Sequence, residues 1–334
     1  MKAPPAWSSI ETDIRTVMAL AVDVCRNMVG QRHPSGRGDA AAAALLGMET
    51  LHGVDGFIVE EIYHSFTRRP NRKFLAKIDI ERTLFSDAAR RCYDLVANKG
   101  PIEHIRYDDD RDDGLNWLRY FLSAIPDDSY GTGAFDYSDL KHNPDSNLRL
   151  LHDMTSAQLT LAEYVDDLTK ADASWEEWRS TCVFTARDIS LLGDVNIRTV
   201  RNVMGPNGNK PIRTETIDGK ASRRPNLVWG NALDSIEWLA GRRGFQPGSL
   251  SPQWVDGRIS AIGSLPALAA VPGVVAWINR TTTDELAAKL QWLPERVRSW
   301  TRGKDIYPEQ AEAISAAAGL DGKAYASRIK SLLG

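Results

Sequence analysis

The amino-acid sequence predicts a mainly α-helical, multidomain protein. Apolar residues recur at helical spacing in the first half of the chain, for example at Ile14, Val17 and Ala21. Stretches with the alternation expected of strands are short. The chain has 334 residues, and a typical domain has about 100–200 residues, so we expect about two or three folding units.

The composition excludes several classes of protein. Hydrophobic residues make up 43% and charged residues 25% of the chain, which is typical of globular proteins and not of disordered or fibrous ones. No uncharged apolar run reaches the ~18–20 residues of a membrane helix, and no apolar signal-peptide core follows Met1. Cys25, Cys92 and Cys182 are far apart and form no CxxC pair. We therefore expect a cytoplasmic protein without disulfide bonds or membrane contact.

Charge is distributed unevenly along the chain. Residues 1–181 contain 21 basic and 30 acidic residues, a net charge of −9, whereas residues 182–334 contain 20 basic and 14 acidic residues, a net charge of +6. A basic half beside an acidic half is expected when one part of a protein meets a polyanion. This asymmetry favours nucleic-acid binding by the C-terminal half, and it leaves the acidic half as a possible surface for a protein partner.

Residues 1–178 predict one all-helical domain with two features that could bind metal. The segments Glu49/His52 and Glu61/His64 have the Glu-x-x-His spacing of di-iron bundles, but the further glutamates of such sites are missing. The acidic run at residues 108–113 could hold Mg²⁺, although such runs are more often solvated loops. The chain has no phosphate-binding loop and no nucleophile elbow. We therefore expect no enzymatic activity, no metal and no cofactor.

Residues 184–204 predict two short helices around a tight turn. Thr185 is a suitable N-cap for the first helix, with Asp188 at the capping-box position. Gly193-Asp194 interrupts the helical pattern, and Asn196 can cap the second helix. The second helix presents outward residue types that suit base edges and phosphates: Arg198, Thr199, Arg201 and Asn202.

A predicted β-hairpin follows these helices. Extended runs at residues 212–217 and 220–229 are joined by Asp218-Gly219, a dipeptide typical of two-residue hairpin turns. The basic residues that line or flank the hairpin are Lys210, Arg213, Lys220, Arg223 and Arg224. A further helix is predicted at residues 231–243. The order of helix, turn, helix, basic hairpin and helix is that of a winged helix.

From residue 184 to about residue 245, the sequence resembles the winged DNA-binding domain of MerR-type regulators and phage excisionases. The closest similarity is Asp-Val-Asn-Ile-Arg-Thr-Val-Arg at residues 194–201, although Gly193 stands one residue earlier than in the family and the hairpin is longer. The resemblance implies a winged helix-turn-helix domain with a two-stranded wing at residues 182–245. The alternative is an αα-hairpin packed in a core.

The remaining sequence predicts a linker and a second helical module. Residues 246–273 are rich in Pro and Gly and are expected to form the linker. Residues 285–304 then repeat the pattern of two helices, with Leu286, Leu290, Val297 and Trp300 inward. The residues expected to face outward are Arg296, Arg298, Ser299 and Arg302.

Residues 274–334 resemble the Cro/CI-type repressor fold in Leu-Ala-x-Lys-Leu and Val-x-x-Trp-x-x-Gly-Lys. They differ from it at Gln291, where a turn glycine is expected, and in the bulky Trp292. The resemblance implies a C-terminal helix-turn-helix bundle, which either contacts DNA or packs against protein.

The function predicted from these segments is sequence-specific binding of double-stranded DNA on the nucleoid. We expect a transcription regulator of a bacterium, a phage or another mobile element, acting as a homodimer. A replication, partition or excision factor of a plasmid or mobile element is the first alternative. A protein–protein adaptor built from helical modules is the second, and an enzyme that uses the acidic or Glu-x-x-His segments comes last.

Overall fold

In a computed structural model, the structure describes residues 2–29, 72–81, 83–98, 100–105, 146–170, 183–206, 210–215 and 229–334. These residues form a mainly helical protein with one small four-stranded sheet, which confirms the predicted fold class at that level. Both Glu-x-x-His segments and the acidic run at residues 108–113 lie outside the described residues. Within the described ranges, no helix is both long enough and apolar enough to cross a membrane.

The chain divides into two compact units. The N-terminal unit comprises residues 4–97 and 108–155, and the C-terminal unit comprises residues 1–3, 98–107 and 156–334. Residues 156–178 therefore group with the C-terminal unit and not with the predicted domain 1–178. The contacts of this stretch explain the difference, since Gln158 donates to the carbonyl oxygen of Pro247 and Asp166 accepts from Arg258 at 2.7 Å.

The N-terminal unit is built from helices α1 (Trp7–Val29), α2 (Arg72–Leu75), α3 (Leu84–Asn98) and the first part of α4 (Asn147–Leu168). The apolar faces of these helices are buried, and their side chains include Ile10, Ile14, Ala88, Leu151 and Met154. Trp7 packs edge-on against Tyr93 with ring centroids 5.4 Å apart, and the Arg90 guanidinium lies 3.8 Å from the centroid of the Trp7 ring. The helical periodicity predicted for α1 and α3 is thus confirmed.

One buried carboxyl group makes the stability of this unit depend on pH. Asp13 accepts a hydrogen bond from the backbone N–H of Leu148 at 3.4 Å, and burial raises the pKa of its carboxyl from 3.8 to about 6. The folded chain therefore holds this proton more tightly than the unfolded chain does. As the pH rises from about 4 to 6, the unfolded chain releases its proton first, so the free energy of unfolding falls.

We expect Asp13→Asn to remove this pH-dependent penalty, because the amide carries no charge at any pH in the range. At pH 8 the variant should be more stable than the wild type by about 2 kcal/mol, a value discounted for the partial exposure of the carboxyl. At pH 4 the two proteins should differ little. Urea unfolding between pH 4 and 8 measures this difference, and a gap that stays constant across the range would contradict the prediction.

In the C-terminal unit, the described chain continues after α4 with β1 (Val183–Thr185), which leads directly into α5 (Ala186–Gly193) and then α6 (Ile197–Val203). The strands β2 (Met204–Gly205), β3 (Ile212–Glu215) and β4 (Trp229–Asn231) complete a sheet of order β1-β4-β3-β2. β4 is antiparallel to both β1 and β3, and β2 is parallel to β3. Helix α7 (Ala232–Ala240) follows β4 and buries Leu233, Ile236 and Leu239, as predicted.

The predicted hairpin exists in part, with a different register. Glu215 pairs with Trp229 and Thr214 pairs with Gly230, so residues 216–228 separate the paired ends of the two strands. A two-residue turn at Asp218-Gly219 would pair residue 217 with residue 220, and therefore residue 215 with residue 222, so the predicted register is wrong. The rest of the predicted hairpin, at residues 216–228, lies outside the described residues. β4 is buried between β1 and β3, and its position 230 has no room for a side chain, because a Cβ there would lie 2.8 Å from Ile212 Cγ2. This close packing fixes the register of β4.

The predicted linker at residues 246–273 is also wrong. It contains α8 (Pro252–Asp256), a 3₁₀ turn (Ile259–Ala261) and most of α9 (Leu265–Ile278). Every residue of α9 from Ala267 onward is buried. The helix is apolar on all sides, which is the pattern of a central helix and not of a solvent-exposed connection. Gly273 allows close packing, because a Cβ there would lie 2.4 Å from Thr301 Cγ2.

Four further helices follow α9 in the C-terminal unit: α10 (Thr283–Leu290), α11 (Pro294–Thr301), α12 (Ala311–Ala317) and α13 (Gly322–Leu333). Of the predicted inward residues, Leu286, Val297 and Trp300 are buried and Leu290 is half-buried. The helices predicted in this module are therefore present.

Candidate nucleic-acid interface

Helix α5 begins at the capping box that the sequence predicts. Thr185 Oγ1 accepts a hydrogen bond from the Asp188 N–H at 3.1 Å, and the Asp188 carboxylate accepts from the Thr185 N–H at 2.8 Å. Each side chain thus satisfies a backbone donor that the first turn of a helix leaves free. The start of α5 is fixed by residues that are close in sequence.

The turn between α5 and α6 is tight and well bonded. Asp194 adopts the left-handed conformation with φ 49°, which stops α5. The Val195 N–H then donates to the Ser190 carbonyl oxygen at 3.0 Å, and Ser190 Oγ donates to the Val195 carbonyl oxygen at 2.7 Å. Asn196 Oδ1 accepts from the Arg198 N–H at 2.8 Å and caps α6. The two helices are therefore held in a defined relative orientation by a short turn.

Helix α6 presents a polar face to solvent. Arg198, Thr199, Arg201 and Asn202 are all exposed, whereas Val200 is completely buried. Among the described residues, neither Arg198 nor Arg201 has a carboxylate within ion-pair distance. The outward orientation predicted for these four side chains is confirmed, and their role in DNA binding stays a prediction.

The basic residues predicted for the hairpin differ in their surroundings. Lys210 is exposed beside β3. Arg213 is tied to α7 instead, because its Nε donates to the Asp234 carboxylate at 2.7 Å and its backbone N–H donates to the same carboxylate at 3.2 Å. Lys220, Arg223 and Arg224 lie outside the described residues.

Two carboxylates of α7 form the centre of a network of ion pairs, which we call the α7 carboxylate cluster: Asp234 and Glu237. Arg302 Nη2 lies 2.7 Å from Asp234 and 2.9 Å from Glu237, and Arg298 Nε lies 2.7 Å from Glu237. Burial disfavours the charged form of Arg302, but the two carboxylates outweigh that effect and raise its pKa. The cluster thus joins α7 to α11 by charge-assisted hydrogen bonds.

This network corrects the prediction for the second module. Arg298 and Arg302 were expected to face outward, but both point to the α7 carboxylate cluster, and Ser299 Oγ lies 2.5 Å from an Asp305 carboxylate oxygen. The carboxylates that pair with Arg298 and Arg302 lie in α7, far away in the sequence, so helical periodicity alone could not identify these pairs. Arg296 is the predicted member of this set that stays exposed.

A cleft of about 610 Å³ lies beside the α7 carboxylate cluster. Its lining includes Arg213, Arg298, Arg302, Asp234 and Glu237. These arginines are already paired with the two carboxylates, so Lys210 is the remaining basic residue in the lining of the cleft. The network is therefore structural, and α6 is the better candidate for contact with nucleic acid.

The described residues contain no group of three or more His, Cys, Asp or Glu side chains that could hold a metal ion. In comparisons with protein families, curated proteins and solved structures, none matched this chain. The functional argument therefore depends on the geometry and chemistry of the described residues.

Proposed function

We propose that this chain binds double-stranded DNA in a sequence-specific manner and acts as a transcription regulator. The observation that carries the proposal is the exposed face of α6, the second helix of a tight, capped pair. There, two arginines that have no carboxylate partner among the described residues stand beside a threonine and an asparagine. Arginine can bond guanine O6 and N7, and asparagine can bond adenine N6 and N7, in the major groove. Helix pairs of this kind place their second helix in that groove.

The elements around α6 support the same function. The strands β3 and β4 follow it after β2, and residues 216–228 between them carry Lys220, Arg223 and Arg224. In the proposed arrangement this segment is the wing of a winged helix and contacts the DNA backbone. Lys210 adds a further exposed positive charge beside β3. Contacts of lysine and arginine with phosphates would give the complex an affinity that falls with rising salt.

The proposal predicts that Arg201→Ala weakens specific binding by about 1–3 kcal/mol, because one base contact is lost. A duplex enriched by the purified protein from a randomised library serves as the specific site, and fluorescence anisotropy measures the affinity. Lys330→Ala, at an exposed lysine of α13, is the control and should leave the affinity unchanged.

Two outcomes would contradict this prediction in different ways. An equal loss of affinity on specific and random duplexes would show that Arg201 contacts phosphate and does not read a base. Failure of the full-length wild type to retain any duplex at low salt would overturn the proposed function itself. If the wild type does bind, footprinting on the DNA around its own gene reports the length and symmetry of the bound site.

A further inference from the structure

A second cavity lies in the C-terminal unit and shares no lining residue with the cleft beside the α7 carboxylate cluster. Its volume is about 260 Å³, and it lies between the 3₁₀ turn Ile102–His104, the last turns of α4 and the region of α8. Charged side chains form one part of its wall. The apolar part consists of buried side chains: Ile102, Ile105, Ala162 and Val165.

The two basic side chains in the lining of this cavity are already paired with a carboxylate. Arg258 Nη1 donates to the Asp166 carboxylate at 2.7 Å, and its guanidinium lies 4.0 Å from the centroid of the Trp254 ring. Lys170 Nζ lies 3.1 Å from the other oxygen of Asp166. Both cations are therefore engaged at one side of the cavity, and neither of them compensates Glu103, a further carboxyl group of the lining.

Glu103 is a buried carboxyl group that the described residues satisfy only in part. The residue is 8% exposed, and its Oε1 accepts a hydrogen bond from the Ser251 N–H at 3.2 Å. Its Oε2 is buried and has no hydrogen-bond partner among the described residues. A buried acceptor without a donor costs free energy, and the cost is larger for a charged group. The wall of the cavity thus carries an acceptor that a ligand could satisfy.

We propose that this cavity binds a small primary amine in its ammonium form, with Glu103 Oε2 as the acceptor. An ammonium group is a compact charge with three donors, one of which can bond a single carboxylate oxygen. A guanidinium fork bonds both oxygens of a carboxylate at once, but Oε1 of Glu103 is already bonded to Ser251. Oε2 is covered by neighbouring atoms, so the ligand reaches it when the Glu103 side chain turns toward the cavity.

The rest of the lining sets the charge and the size of the ligand. Three carboxyl groups line the cavity against two basic side chains, so an added positive charge is favoured over a negative one. The buried apolar side chains suit a short alkyl stem beside the ammonium group. A volume of 260 Å³ lies just below the range of about 300–1,000 Å³ typical of drug-sized ligands, so the amine must be small.

Titration of n-butylammonium into the full-length protein tests the proposal, at constant ionic strength and with binding followed by ligand-observed NMR. The wild type should show saturable binding, and Glu103→Gln should weaken it by about tenfold or more, because a hydrogen bond to a charged acceptor is lost. Glu309→Gln is the matched control and should bind as the wild type does, since Glu309 is exposed and lies outside the lining.

The stability of Glu103→Gln separates a role in binding from a role in folding. Glutamine has nearly the same shape as glutamate, and its carbonyl oxygen can still accept from the Ser251 N–H. The substitution removes a buried charge that has no basic partner among the described residues, so the Tm of the variant without amine should not be lower than that of the wild type. A variant that is folded and equally stable cannot owe its weaker binding to misfolding.

Analogues with the same stem test the chemistry of the ligand. Neutral n-butanol and anionic butanoate should not displace n-butylammonium from the wild type, and n-butylguanidinium should bind more weakly than the ammonium. Equal affinity for n-butanol would show an apolar cavity without a role for the carboxyl group. Tighter binding of the guanidinium, or unchanged binding by Glu103→Gln, would also overturn the proposal.

The proposal goes beyond the proposed function and does not depend on it. If the wild type retains no duplex but binds n-butylammonium through Glu103, DNA binding fails and the amine site stands. If the wild type binds duplex and shows no saturable binding of n-butylammonium, the amine site fails and the proposed function is unaffected.

Discussion

Asp234→Asn is expected to lower the free energy of unfolding by about 3 kcal/mol. The carboxylate is 2% exposed and accepts hydrogen bonds from the Nε and backbone N–H of Arg213 and from Nη2 of Arg302. Its neutral replacement leaves Arg213, which is 34% exposed, and Arg302, which is 24% exposed, with one carboxylate fewer. Breaking a fully buried pair in this way costs about 3–5 kcal/mol, and the partial hydration of the two guanidinium groups lowers that cost. We expect the lower end of that range because Glu237 still pairs with Arg302.

Urea unfolding at pH 7 measures this loss, and Glu295→Gln is the matched control. Glu295 also faces an arginine of α11, since its carboxylate lies 3.5 Å from Arg298 Nη1, but its side chain is 76% exposed. An exposed pair of this kind contributes about 0–1 kcal/mol. Equal effects of the two substitutions would show that the α7 carboxylate cluster is no more than a set of surface ion pairs.

The α7 carboxylate cluster illustrates what the sequence could not predict. Asp234 brings together Arg213 of β3 and Arg302, which follows α11, and these residues are separated by long stretches of chain. Arg302 was predicted to contact DNA from its outward position on a helix and Arg213 from its place on the predicted hairpin, and a helical pattern reports only which face is apolar. It does not report which other element covers the polar face. For this reason, two of the four residues predicted to contact DNA from the second module, Arg298 and Arg302, are instead paired with carboxylates of α7.

Features that depend on near neighbours were predicted well. The capping box of Thr185 and Asp188 and the cap at Asn196 depend on residues within one helical turn. Hydrogen bonds between neighbouring residues and the local backbone preferences of those residues favour such features without the help of tertiary contacts. The exposed face of α6 follows from them, which is why the main candidate site was visible in the sequence.

The two errors in the fold have a common physical origin. Pro266 and Pro272 suggested a linker, but the first stands in the opening turn of α9 and the second is tolerated inside a helix that is buried on every side. The Asp218-Gly219 dipeptide predicted the register of the hairpin, but β4 pairs with β1 and β3 in a different register. In both places the described structure follows from packing against distant segments, which the local sequence signal does not report.

The second large effect is expected for Trp300→Ala, which should lower the free energy of unfolding by about 3–5 kcal/mol. Trp300 is 1% exposed, and its Nε1–H donates to the Tyr325 hydroxyl at 3.3 Å. That hydroxyl donates in turn to the Leu268 carbonyl oxygen at 3.0 Å, and burial raises the pKa of Tyr325, so the donor stays protonated. The substitution therefore opens a cavity and also interrupts a buried chain of hydrogen bonds.

Trp292→Ala is the matched control, because the two indole rings lie only 6.2 Å apart between centroids and differ in burial. Trp292 is half-buried, packs against a buried cluster that includes Leu286 and Val297, and has the Arg296 guanidinium 4.7 Å from its ring centroid. Its loss should therefore cost less than the loss of Trp300, about 2 kcal/mol of stability. Urea unfolding of both variants at pH 7 measures the two losses. Equal losses would show that the hydrogen bonds through Tyr325 add nothing to the burial of the Trp300 ring.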